Sequence, residues 1–195
     1  MKTPFAVLFI SLIVLACNGN IDLNQSEKIK VTFSSTEIDN LTAIHTFFTR
    51  EIMQLTENEN PTSAYSTFLE DMEAASTLGT YPYTIQTSKI DSLFDQLDSN
   101  FVSAIWTKES YSSEDNSFSE NLELKPQSKY IEYLGLIGAE NATVKNYHDN
   151  IIRSGHLNAT AVAIFIYEWQ SFDVTNSDIQ LMIAIHYITV QYYNS

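Results

Sequence analysis

At 195 residues, with 44% hydrophobic and 12% aromatic side chains, the chain is long enough to bury one sizeable core and too aromatic to stay disordered. Five glycines and four prolines are too few to turn the many hairpins of an all-β fold. A formal charge of −14, from 24 acidic against 10 basic side chains, repels phosphate backbones and argues against nucleic acid as a partner.

The chain opens MKTPFAVLFISLIVLAC, with one positive charge (Lys2) ahead of an apolar run from Phe5 to Ala16. The run has the length of a signal-peptide core and is too short to span a bilayer as a stable helix. It closes as Val14-Leu15-Ala16-Cys17, ending on the single cysteine of the chain. That cysteine has no intrachain partner for a disulfide and no companions for a cysteine zinc site. The Val14–Cys17 segment resembles the lipobox of bacterial lipoproteins. The resemblance implies that residues 1–16 are a signal peptide cut off before Cys17, and that Cys17 carries a thioether-linked diacylglycerol. It makes the membrane a partner, since stable anchoring takes at least two acyl chains. Loss of Lys2 with the signal leaves a net charge of −15. Asn18 stands where an aspartate would resemble an inner-membrane retention signal, so the resemblance implies the outer membrane of the cell envelope and leaves the side open.

Residues 17–34 are polar and show no helical apolar period, so they read as the lipidated Cys and a flexible tether. Within them KIKVTF also has the composition of a short strand. The helical domain is expected over 35–195. Ser34-Ser35-Thr36-Glu37 is a capping-box pattern, and Ile38, Leu41, His45, Phe48, Ile52 and Leu55 then fall on one helical face. Asn60 and Pro61 start a second helix with Tyr65, Phe68, Leu69 and Met72 inside, stopped at Gly79. A third runs from about Ser88 through Ile90, Leu93, Phe94, Leu97, Phe101, Ile105 and Trp106, with a break at Ser99-Asn100. The stretch Glu109–Asn121 is the longest polar segment of the domain and reads as a mobile surface loop.

Pro126 begins a fourth helix that ends at Gly138. Asn141 caps a fifth that ends at Gly155, and Asn158 caps a sixth, AVAIFIYEW. The last stretch, Ile179–Tyr193, is apolar nearly all round apart from a narrow stripe at Gln180, Ala184, Tyr187 and Gln191. Such a helix belongs in the middle of a domain. The reading is an all-α fold: one helical-bundle domain of about seven helices around a buried C-terminal helix.

No pattern assigns a catalytic residue, a cofactor or a metal. There is no HExxH, GxSxG, SxxK or Gly-rich phosphate loop. Asp173–Asp178 lacks the central glycine and distal glutamate of a calcium loop. His45 and His186 sit on apolar helix faces, where they meet as a metal or hydrolytic pair or serve as satisfied core histidines. Carboxylates such as Glu70, Asp71, Glu73, Glu168 and Asp173 are numerous and read as solvated faces. Tyr81 and Tyr83 flank Pro82 in a loop where no core demands them, so they, with Trp106 and Tyr111, are the candidate binding residues. The expected function is a non-catalytic protein-binding or assembly module of the envelope, partnered by another envelope protein. The alternatives are an envelope hydrolase using carboxylates with His45 or His186, and a small-ligand or sugar-binding lipoprotein. In type, though not in motif, the domain is similar to small helical envelope lipoproteins.

Overall fold

The computed structural model describes residues 23–112 and 118–193, with backbone alone at 109–112, 118–120 and 193. Cys17 and the whole lipobox lie outside these residues. The described chain is a single all-helical domain with one β-hairpin. None of its helices is long and apolar enough to cross a membrane.

The last helix, α9 (Ser177–Tyr193), is the axis of the fold. Every residue from Asp178 to Tyr192 is buried, including the polar stripe. The stripe is spent on internal bonds. The Gln180 amide donates to the Val174 carbonyl (2.6 Å) and accepts from His45 Nε2 (2.9 Å). Gln191 accepts from the Ile85 backbone N–H at 2.6 Å. Around the axis pack α2 (Ser35–Leu55), α3 (Pro61–Ser76), α6 (Lys129–Gly138), α7 (Ala142–Ser154) and α8 (Ala159–Tyr167). The capping box at Ser34 and Glu37 forms as expected, and Asn60, Asn141 and Asn158 each cap a helix through the side-chain oxygen. Gly155 ends α7 in the left-handed region at φ 77°.

Three expectations are corrected. The tether reading fails from Leu23 onward: a 3-10 turn (Leu23–Gln25) and α1 (Glu27–Thr32) bury Leu23, Ile29 and Phe33 in the common core. Ser26 caps α1, so KIKVTF is helix rather than strand. The third expected helix is broken where the sequence read a break, into α4 (Thr87–Phe94) and α5 (Ser99–Ile105), and Asp98 caps the fresh start through bonds to the Asn100 and Phe101 N–H groups. With α1, this makes nine α-helices among the described residues instead of about seven. The polar stretch after Trp106 is not a loop throughout. It forms an antiparallel pair, β1 (Trp106–Ser112) and β2 (Phe118–Leu124), in the register Trp106 to Leu124 through Ser112 to Phe118. Leu122 and Leu124, two residues apart on one face, and Trp106 opposite Leu124 root the hairpin in the core.

Candidate binding groove

Between the outer face of α8, the end of β2 and the end of α9 lies an open groove of about 650 Å³. Val162, Ala163 and Ile166 of α8 form one wall, at i, i+1 and i+4 of a helix whose opposite face (Ala161, Ile164, Phe165) is buried. Leu122, Leu157 and Val190 complete an apolar floor, and Tyr81 and Tyr167 stand at the rim, 49% and 55% exposed. A weak hydrogen bond between Ser76 Oγ and Tyr167 OH (3.4 Å) brings the end of α8 beside the end of α3, where Leu78 is also exposed.

The four expected binding residues separate. Tyr81 lines the groove. Tyr83, two residues on, turns inward, stacks on Phe68 at 5.6 Å and donates to the Asp71 carboxylate. Burial and the Asp71 charge push its phenol up to about 12, so it remains a donor at any physiological pH. Trp106 is a correction: it is 2% exposed, and its indole N–H donates to Thr189 Oγ1 at 2.9 Å in the core. Tyr111 pairs with Ser119 in the hairpin, at a position where the backbone alone is described.

Neither histidine of the expected pair reaches solvent. His45 is buried and committed to Gln180, and burial lowers its pKa against the raising effect of that bond. His186 is fully buried, 3.7 Å from the Phe165 ring in a parallel stack, with Nδ1 3.1 Å from Tyr147 OH. Desolvation drops its pKa to about 3, so the ring is neutral. Their partners on α9, Gln180 and His186 itself, are six residues apart, about 9 Å along a helix. Among the described residues no three His, Cys, Asp or Glu side chains gather as a metal site.

A second groove, of about 700 Å³, lies between α2 and α4 and is lined by Arg50, Glu51, Lys89 and several hydroxyls. Buried Glu51 there accepts from Lys89 at 2.5 Å and lies 3.5 Å from Arg50, while exposed Asp39 also lines the groove. In the first groove the half-buried carboxylate, Glu123, has no such partner among the described residues. Sequence reasoning found Tyr81 but missed Glu123 and the α8 wall. In AVAIFIYEW every face is apolar, so nothing marks the face left uncovered. No protein-family model, curated protein or solved structure matches this chain.

Proposed function

We propose that the chain is a lipid-anchored, non-catalytic binding module of a bacterial cell envelope, held by diacylated Cys17 and engaging another envelope protein through the rim of the α8 groove. The observation that carries this reading is the exposed apolar shelf formed by Leu78, Tyr81 and Tyr167 beside an open apolar groove. Exposed apolar surface that no core claims marks interaction sites, and tyrosine suits them because its apolar ring ends in a polar tip. The burial of both candidate histidines supports this reading over a hydrolase built on them. The anchor rests on the lipobox residues alone.

The test is a crosslinked pull-down of the tagged full-length chain from its own cells, beside Cys17→Ala and Tyr81→Ala. An envelope protein recovered in stoichiometric amount, and lost in both variants, supports an anchored recruiting module. Recovery unaffected by Tyr81→Ala moves the interface off the groove rim. Labelling with an alkyne fatty acid checks the anchor separately: label is expected on the native chain and absent from Cys17→Ala.

A further inference from the structure

Glu123 is the exception among the carboxylates of this protein. Wherever side chains are described, every other buried or half-buried carboxylate has a donor. Glu37 has Lys129, Glu51 has Lys89, Asp71 has Tyr83, Glu73 has Trp169, Asp91 has Tyr192 and Asp178 has Tyr133. Half-buried Glu123 lines the α8 groove and has neither a hydrogen-bond nor an ion-pair partner among the described residues. An unpaired carboxylate on the wall of an otherwise apolar groove is complementary to a bound cation.

Among the described residues no lysine or arginine lines the groove. Thr189 Oγ1 is occupied, accepting from Trp106 and donating to the Ile185 carbonyl. Asn158 Oδ1 is occupied by the Ala161 N–H at the start of α8. His156 Nδ1 lies 3.1 Å from the Ser154 carbonyl, which can only accept, so Nδ1 carries a proton there. The groove therefore presents an unpaired carboxylate, two tyrosines at its rim and an apolar floor. Its volume of about 650 Å³ is that of a small-ligand cleft.

We propose that this groove binds a small amphiphilic organic cation: an apolar or aromatic body lying on Leu122, Val162, Ile166 and Val190, and an ammonium group set against the Glu123 carboxylate between Tyr81 and Tyr167. This site shares Tyr81 and Tyr167 with the shelf described above, but it rests on the unmatched Glu123 charge inside the groove, so it does not depend on the protein partner.

Three probes with one apolar body and different heads test it: 4-phenylbutylamine, 4-phenylbutanol and 4-phenylbutyrate. Each is titrated calorimetrically into the full chain in zwitterionic nanodiscs, with empty nanodiscs as blank. The amine is expected to bind about tenfold or more tighter than the alcohol, with the carboxylate weakest. Glu123→Gln is expected to bring amine and alcohol within about twofold of each other while leaving the alcohol unchanged. Ala163→Trp, which fills the groove, is expected to abolish binding of all three. An amine that binds no tighter than the alcohol, an advantage that survives Glu123→Gln, or no binding by any probe overturns the proposal. If Ala163→Trp fails to fold, judged by its thermal melt, the Glu123→Gln comparison decides alone.

Discussion

His186 shows what a buried titratable side chain does to stability. Its ring stacks on Phe165 and has a pKa of about 3 in the native chain, against 6.5 when free. Below pH 6.5 the unfolded chain takes up a proton that the native chain refuses. The stability tied to this group is therefore whole above pH 6.5 and falls as the pH drops toward 3, by up to about 1.4 kcal/mol per unit. Between pH 6.5 and 5.0 urea unfolding of the native chain is expected to lose roughly 2 kcal/mol more than that of His186→Phe, which has no proton to take up. Equal pH dependence in the two would mean that the folded ring does titrate. The placement of His45 and His186 on apolar faces already reads as core in the sequence. Their separate partners, Gln180 and Tyr147, do not, because no local spacing pairs a residue on α2 or α7 with one on α9. The same limit explains Trp106. Its indole is spent on Thr189, 83 positions away, and seen alone it resembles an interface tryptophan.

At the scale of elements, two glycines that both read as helix stops turn out to act for different reasons. Gly155 adopts φ 77° with nothing within 4 Å of where a Cβ would sit, so its role is conformational. Gly138 is a matter of packing: a Cβ there would meet the Lys145 backbone at 2.9 Å, where the start of α7 crosses the end of α6. Gly155→Ala is expected to cost about 1–2 kcal/mol, and Gly155→Asn less, since asparagine tolerates the left-handed region. Gly138→Ala is expected to cost about 1–3 kcal/mol, and Gly138→Asn more, since the larger side chain meets the same backbone. Thermal melts of the four variants decide it, and a milder effect of asparagine at both sites would refute the packing role of Gly138. In the second half α7 was the most legible helix, because Asn141 caps it, Val144, Tyr147 and Ile151 line one face and Gly155 stops it. The hairpin was not legible. Between Lys108 and Asn121 both faces are polar, and only Trp106, Leu122 and Leu124 at its root carry the period-two signal. The two-turn α1 is too short to show a helical period, though Leu23, Ile29 and Phe33 are among its buried anchors.

If Cys17 is acylated as proposed, those anchors set how far the folded body can lie from the membrane. Leu23 follows Cys17 by six positions, a reach of at most about 20 Å. A tether ending at Ser34 would reach about three times as far. The anchored end of the body is α1, whose Lys28 lies 3.9 Å from Asp178 in the first turn of α9. The groove takes Thr189 and Val190 from the last turns of that helix, about 18 Å along its axis. A body with a net charge of −15 after loss of the signal is also repelled by anionic headgroups. Under the proposed anchoring, that short reach and the repulsion would hold the α1 end toward the bilayer and turn the groove away from it, where an envelope partner or a soluble cation could reach Tyr81. Hydroxyl-radical footprinting of the acylated chain on anionic vesicles checks this against Cys17→Ala in solution. Exposed Val31 on α1 is expected to be protected on the vesicle, while Tyr81 and Tyr167 react equally in both. Protection of the tyrosines with Val31 left reactive would place the groove against the lipid, and the site would then have to recognise a membrane component. Leu23→Ala tests the same premise from the folding side. As a core anchor it is expected to lose about 2–5 kcal/mol of stability, whereas a residue in a free leash would lose none.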